Sequence, residues 1–189
     1  MQKNICVFSS SSDHVAPAFF EAAARLGRII GESNSTLIYG GTNIGLMGAI
    51  ARATHEHGGR VVGVIPELIR DRGVAYDTAD ELIITKDLRE RKANMEKRAD
   101  VFIALPGGFG TLEEIVEIIT LKQLGCHTKP IIFINTDGFY KHLGDFFEHL
   151  YKEKFAKSDF RDLYYIADDV DMVMPYLERY NPEGMSSKW

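Results

Sequence analysis

Short apolar runs alternate with longer amphipathic segments along most of the chain. The apolar runs with the length and turn boundaries of buried strands are residues 4–8, 36–39, 60–65, 81–85, 100–104, 130–134 and 163–166. Helical periodicity predicts helices at residues 16–32, 45–57, 87–98, 111–124, 138–152 and 168–180. This alternation predicts an α/β fold with a mainly parallel sheet.

Length and composition narrow the class of protein further. The 189 residues fit one domain, and the polar, Pro- and Gly-containing residues 181–189 are predicted to be a loosely ordered tail. The net charge of −5 and the dispersed basic residues argue against a nucleic-acid partner. Because no apolar stretch approaches the length of a membrane helix or signal peptide, and the two cysteines form no CxxC pair, we expect a cytoplasmic protein without membrane contact or zinc.

The most informative segment, residues 105–114, leads from the fifth predicted strand through a glycine turn into a helix. Gly107, Gly108 and Gly110 permit backbone conformations that are closed to residues with a Cβ atom. The free N–H groups and positive dipole end of the following helix form a seat for an anion. Thr111 can cap this helix or donate a hydrogen bond to a phosphate oxygen.

Two carboxylates follow in the same predicted helix. Glu114 and Glu117 are three residues apart and therefore share one helix face, with Glu114 about one turn from the anion seat. This pattern predicts a phosphate site beside an acid/base group. A tight turn followed by solvated glutamates is the alternative.

In sheets of this kind, ligands bind beyond the carboxyl ends of the strands, near the point where strand order reverses. The rule selects the loops after the first, second, fourth and fifth strands. The first of these carries four serines, among them Ser10, which can bind phosphate or cap the next helix. The second is another glycine turn, with Gly41 and Gly45, and is a second candidate phosphate site.

The helix before the fifth strand carries a cluster of cations. Arg91 and Met95 share a helix face, and Lys92 stands beside them, so all three are candidate substrate contacts. A solvated charged helix surface is the alternative. The dinucleotide fingerprint is missing after the first strand, and no Lys-Ser or Lys-Thr pair follows a glycine loop. The anion seat therefore suits a mononucleotide.

Together, residues 40–48, 91–95 and 106–117 resemble the LOG (Lonely Guy) family of cytokinin riboside 5'-monophosphate phosphoribohydrolases, whose members are often labelled possible lysine decarboxylases. The resemblance covers about residues 3–180. It implies a Rossmann-like, doubly wound fold with helices on both sheet faces, and a homodimer. It also implies hydrolysis of the N-glycosidic bond of adenosine monophosphate or its N6-prenylated derivatives to free base and ribose 5-phosphate.

The resemblance assigns roles to matching residues. Arg91 and Glu114 match the catalytic arginine and glutamate, while the glycines at 107, 108 and 110 with Thr111 match the phosphate loop. Many members have Cys-Gly-Ser-Ser after the first strand, where this chain has serines at 9–12, so substrate preference can differ. Such hydrolysis needs a carboxylate to stabilise the cationic ribose and activate water, and no metal or organic cofactor. Glu117 would orient Glu114.

Two rival functions remain open from the sequence. Lysine decarboxylation normally uses pyridoxal phosphate on a Schiff-base lysine, and the sequence singles out none of Lys122, Lys129 and Lys141 for that role. A nucleotide-binding or cofactor-carrier module would use the same anion seat without turnover.

Overall fold

The computed structural model describes residues 2–182, and the later part of the tail predicted at residues 181–189 lies outside them. Within this range one seven-stranded, all-parallel sheet has the strand order β4-β3-β2-β1-β5-β6-β7. The strands are β1 (Asn4–Phe8), β2 (Thr36–Tyr39), β3 (Arg60–Pro66), β4 (Glu81–Thr85), β5 (Val101–Ala104), β6 (Ile131–Ile134) and β7 (Tyr165–Ala167). The predicted parallel α/β architecture is thereby confirmed.

Helices follow the strands on both faces of the sheet. They are α1 (Pro17–Glu32), α2 (Gly45–Glu56), α3 (Glu67–Arg70), α4 (Leu88–Arg98), α5 (Phe109–Gln123), α6 (Lys141–Lys152) and α7 (Val173–Arg179), with short 3₁₀ turns at Thr136–Gly138, Ser158–Leu163 and Val170–Met172. None of the helices in residues 2–182 is long and apolar enough to cross a membrane.

Three local predictions were wrong. Helix α5 begins at Phe109 with Gly108 as its N-cap, so Thr111 lies inside the first turn and does not cap the helix. The strand predicted at residues 163–166 begins at Tyr165, because Leu163 is buried as the end of a 3₁₀ turn. The helix predicted at residues 168–180 is divided into a 3₁₀ turn and the shorter α7. The four-residue helix α3 was not predicted.

The sheet separates two apolar layers. Alternating side chains of β1 enter opposite layers, Ile5 and Val7 on one side and Cys6 and Phe8 on the other. The first layer is closed by α1, α2 and α7, and the second mainly by α4, α5 and α6. Because both faces of the central strands are covered, their buried positions are apolar on both sides, as the continuous sequence runs indicated, while β1 and β3 each begin with one exposed polar residue.

The strand order reverses beside β1. After β1 the chain builds the sheet outwards through β2, β3 and β4, and then returns along α4 so that β5 pairs with the other edge of β1. The carboxyl ends of β1 and β5 therefore border a crevice whose two sides belong to different halves of the chain.

Candidate active site

A cavity of about 310 Å³ occupies this crevice. It brings together the loops after β1, β2 and β5 with residues of α3 and α4. The lining residues are Val7, Phe8, Ser9, Ser10, Ser11, Ser12, Gly40, Thr42, Met47, Ile69, Leu88, Arg91, Gly108, Gly110, Thr111 and Glu114. The predicted residues that border it are therefore Ser10, Gly108, Gly110, Thr111, Arg91 and Glu114.

The glycine turn after β5 leads directly into the cavity. Gly108 is the N-cap of α5, and no side chain of residues 2–182 caps this helix. Its first N–H groups, which have no partner within the helix, lie at the cavity edge beside Gly110. Gly107 stands behind the cavity, where a Cβ atom would lie 2.1 Å from the Thr111 hydroxyl oxygen. Gly107 thus allows the buried Thr111 side chain to pack under the turn.

The glycine turn after β2 has a different use. The Gly45 N–H donates to the Asp13 carboxylate at 2.8 Å, and the Met47 N–H donates to the Ser10 carbonyl oxygen at 3.3 Å. Gly45 has φ +59°, and a Cβ atom there would lie 2.5 Å from the Ser11 carbonyl carbon. The prediction of a second phosphate seat at Gly41 and Gly45 conflicts with this geometry, because Asp13 takes the Gly45 N–H and neither glycine lines the cavity.

The serine loop after β1 does not cap α1, whose N-cap Ala16 makes no side-chain hydrogen bond. Ser10 Oγ accepts from the Ser12 N–H at 3.0 Å, and Ser12 Oγ accepts from the His14 N–H at 3.2 Å. These bonds fold the loop on itself and present it to the cavity. The serine loop therefore agrees with the interpretation that it lines a ligand site, and not with the interpretation that it caps α1.

The centre of the cavity wall is an ion pair between α4 and α5. Arg91 Nη1 donates a hydrogen bond to Glu114 Oε1, and Arg91 Nε donates to the Val64 carbonyl oxygen at 3.0 Å. Both members of the pair are buried, Arg91 at 9% and Glu114 at 7% exposure. A Cβ atom on Gly40 would lie 2.4 Å from Arg91 Nη2, so only glycine leaves room for the guanidinium here.

Burial sets the acid/base behaviour of this pair. Desolvation raises the pKa of Glu114 above the ordinary range of a carboxyl group, and Arg91 offsets only part of this effect. A carboxylate that is costly to keep ionised is a better proton acceptor than a solvated one. Glu114 therefore has both the position and the chemistry of a general base or of a charge that stabilises a cation.

The remaining predicted contacts lie away from this cavity. Met95 is fully buried and packs in the apolar layer with Cys6 and Phe102, so it supports the sheet and does not reach a ligand here. Lys92 forms ion pairs with Glu113 and Glu117, and none of the three lines the cavity. Met95 lies about one helical turn after Arg91, but its side chain packs against the sheet, whereas the Arg91 side chain reaches the cavity.

Sequence reasoning missed the apolar part of the wall. Ile69 from α3 and Leu88 from the start of α4 line the cavity, and both also border an adjoining apolar pocket of about 390 Å³. Leu68 and Leu88 are exposed at 71% and 54% there. No motif marks these residues; only the approach of two helices that follow different strands brings them together.

The same fold occurs in solved structures. The molybdenum cofactor carrier protein of Chlamydomonas reinhardtii superposes with a TM-score of 0.73 at 23% identity, over 95% of this chain and 97% of that one. The molybdenum cofactor binding protein of Rippkaea orientalis gives 0.72 at 22%, over 94% and 96%. Similarity at these identities shows the fold alone.

Sequence comparison identifies the family. Residues 47–177 match the family model described as "Possible lysine decarboxylase". Two cytokinin riboside 5'-monophosphate phosphoribohydrolases of Arabidopsis thaliana are similar: LOG7 is 42% identical over 96% of this chain and 83% of its own, and LOG4 is 40% identical over 100% and 90%. The probable rice enzyme LOGL2 is 38% identical over 96% and 74%. This chain therefore belongs to the LOG family of cytokinin riboside 5'-monophosphate phosphoribohydrolases.

Proposed function

We propose that the protein hydrolyses the N-glycosidic bond of adenosine 5'-monophosphate or of its N6-substituted derivatives, releasing the free base and ribose 5-phosphate. One observation carries the proposal: the buried Arg91–Glu114 pair shares a cavity with the uncapped start of α5. A nucleotide phosphate at that helix end would put the ribose beside Glu114. The activity named for the 42% identical relative agrees with this chemistry.

The proposed reaction divides the work between two groups of residues. The α5 N–H groups, Gly108, Gly110 and Thr111 hold the 5'-phosphate, which fixes the sugar. As the bond from C1' to the purine nitrogen breaks, its electron pair leaves with the base and positive charge develops on the ribose. Glu114 stabilises that charge and accepts a proton from the water that adds to C1', and the base takes up a proton.

Arg91 has two roles in this proposal. Its bonds to Val64 and Glu114 hold the carboxylate in one orientation at the cavity wall. Its charge also lowers the pKa of Glu114 and so offsets part of the rise that burial causes. Replacing Arg91 by Ala should therefore lower turnover. Because the variant also loses a cation from the cavity wall, it should bind the anionic nucleotide more weakly, whereas loss of Glu114 should affect turnover alone.

The apolar pocket beside the cavity bears on which base is used. Ile69 and Leu88 belong to both spaces, so a base that lies against them can extend an N6 substituent into the 390 Å³ pocket. Leu68 and Pro66 supply further apolar surface there. This continuity supports N6-substituted monophosphates as substrates beside adenosine monophosphate itself.

We further propose a homodimer formed largely by helices, located in the cytoplasm. Phe109 is 93% exposed at the start of α5, and Val116 on the same helix and Leu88 on α4 are also exposed. Phe109 and Val116 are seven residues apart on α5 and therefore share a helix face, and exposed apolar faces of this kind are typical of surfaces that another subunit covers. Sedimentation at micromolar concentration should give twice the 21.2 kDa chain mass; a monomer would contradict the dimer.

The cytoplasmic location is supported by the two cysteines, which are both free, as is usual in a reducing compartment.

The decisive experiment is chromatography of the products formed from a panel of nucleoside monophosphates. Free adenine or N6-substituted adenine, with ribose 5-phosphate in equal amount, is the expected result. Recovery of intact nucleotide after prolonged incubation would favour a binding or carrier module. Carbon dioxide and an amine from lysine would favour the decarboxylase, a reaction for which Lys122 is poorly placed, since it donates to the Leu163 carbonyl oxygen and the Tyr180 hydroxyl and lies outside the cavity wall.

A further inference from the structure

Lys92 follows Arg91 directly on α4, but its side chain serves a different set of partners. Its Nζ atom bonds Glu113 Oε1 and lies 2.8 Å from Glu117 Oε2. Glu113 precedes Glu114 on α5, and Glu117 follows it by about one turn. Lys92 therefore reaches across from α4 and holds α5 on both sides of the candidate base.

Two members of this bridge, Lys92 and Glu117, line a second cavity of about 280 Å³. The second cavity is lined by Phe8, Arg89, Lys92, Ala93, Glu96, Glu114, Glu117 and Ile118. Glu114 and Phe8 border both cavities and lie between them. The Lys92 side chain is 18% exposed, whereas the Glu113 and Glu117 side chains are 58% and 45% exposed, so the lysine end of these ion pairs is covered and the carboxylate ends are open to solvent.

We propose that Lys92 is a positioning residue that clamps α4 to α5 at the level of the Arg91–Glu114 pair. Consecutive residues on α4 then bond consecutive residues on α5, Arg91 with Glu114 and Lys92 with Glu113. Two such bonds, with Glu117 as a third point, fix both the separation and the rotation of the helices. This role replaces the predicted contact of Lys92 with the substrate, and its kinetic consequences rest on the proposed function.

The clamp also sets the charge around Glu114. Glu113 raises the pKa of Glu114, whereas Lys92 and, more strongly, Arg91 lower it. Arg89, Glu96 and Glu117 face the same second cavity, and from β1 the Cys6 thiol, whose own pKa burial raises, faces the pair as a neutral group. Removing Lys92 leaves Glu113 and Glu117 uncompensated, which raises the pKa of Glu114.

The first test is Lys92→Met, which keeps the length of the side chain and removes its charge. We expect kcat for adenosine monophosphate to fall about tenfold or more while KM changes little, because the geometry of the base is disturbed and the phosphate seat is intact. The rate depends on ionised Glu114, so the acid limb of the pH profile should move to higher pH. Lys92→Arg should restore most of the rate.

Two companion variants make the assignment specific. Lys97→Met removes the same charge from an exposed position on the same helix and should leave kcat and the pH profile unchanged. Glu113→Gln removes a negative charge beside Glu114 and should move the acid limb to lower pH, opposite to Lys92→Met. A Lys92→Met profile that matches the unsubstituted protein, or a Lys97→Met loss of equal size, would overturn the clamp.

A measurement without turnover separates this inference from the proposed function. The Arg91 Nε–H donates to Val64, and its hydrogen exchange, followed by NMR, reports how firmly the guanidinium is held. Exchange should accelerate in Lys92→Met and stay unchanged in Lys97→Met, even if the protein releases no base from any nucleotide. Unchanged exchange in both variants would contradict the clamp, whereas absence of base release would contradict only the proposed function.

Discussion

The two glycine turns at the carboxyl edge of the sheet have similar sequences and opposite uses. The turn after β2 has its N–H groups bonded to Asp13 and to the Ser10 carbonyl oxygen. The turn after β5 leads to a helix without a side-chain cap among residues 2–182, and it opens on the cavity beside Glu114. One anion seat is thus filled by the protein's own carboxylate, and the other is available to a ligand.

The difference shows what a glycine-rich turn can and cannot say about function. Glycine at such a turn provides either close packing of the backbone or access for a ligand, and the sequence pattern is the same for both. Gly45 serves packing, since added atoms would meet the serine loop, whereas nothing lies within 4 Å of a Cβ atom built on Gly110. The surroundings of the Cβ position distinguish the two uses.

The largest effect is expected from Glu114→Gln, which tests whether the catalytic carboxylate is the one on the helix after β5. The amide keeps the shape of the carboxylate and removes its charge, so kcat should fall about 10²-fold or more while nucleotide affinity persists. Kinetics with adenosine monophosphate and calorimetric titration of the same ligand would measure the two quantities. The exposed Glu178→Gln controls for loss of one negative charge. Near-normal turnover in a folded Glu114→Gln variant would remove the carboxylate from the mechanism.

The next largest effect is a loss of stability, and it is expected from a substitution in the glycine turn after β2. Gly45→Ala forces a Cβ atom at φ +59° against the serine loop, so the free energy of unfolding should fall by about 2–4 kcal/mol. Gly58→Ala is the matched control, because Gly58 also has a positive φ, +80°, with no atom within 4 Å of the added carbon. Its cost should be about 1 kcal/mol. Equal losses in the two denaturation curves would show that the packing argument is wrong.

Smaller effects are expected from Gly110→Ala in the glycine turn after β5, where stability should rise while activity falls. Alanine favours helix over glycine, and the added methyl group meets no protein atom, so the free energy of unfolding should rise by about 0.5 kcal/mol. The methyl group narrows the approach to the anion seat, so kcat/KM for adenosine monophosphate should fall about tenfold. A variant that loses stability, or keeps full kcat/KM, would remove Gly110 from the ligand site.

The parts of the structure that could be predicted from the sequence are those decided by residues close together in the chain. Strands such as β6 (Ile131–Ile134) are buried on both faces, so a local apolar run was enough to find them. Arg91 and Glu114 were found because each lies in a motif near the strand-order reversal. The 3₁₀ turn that ends at Leu163 was missed because its buried apolar residues also fit a strand.

The errors at the site arose from contacts between distant parts of the chain. The bond from Gly45 to Asp13 depends on the β1 loop meeting α2, which no local pattern records. Met95 shares a helix face with Arg91 by spacing, yet α4 is turned so that one residue reaches the cavity and the other the core. Ile69 and Leu88 come together only after β3 and β4 pair, so the apolar wall was not predicted.

The most direct test of the central claim compares adenosine monophosphate with adenosine as substrates of the unsubstituted protein. The claim is that the open helix end of α5 holds the 5'-phosphate and thereby positions the ribose beside Glu114. Removing the phosphate from the substrate removes that hold, so kcat/KM for adenosine should be lower by about 10²-fold or more. Comparable kcat/KM values for the two substrates would contradict phosphate anchoring at the β5 turn.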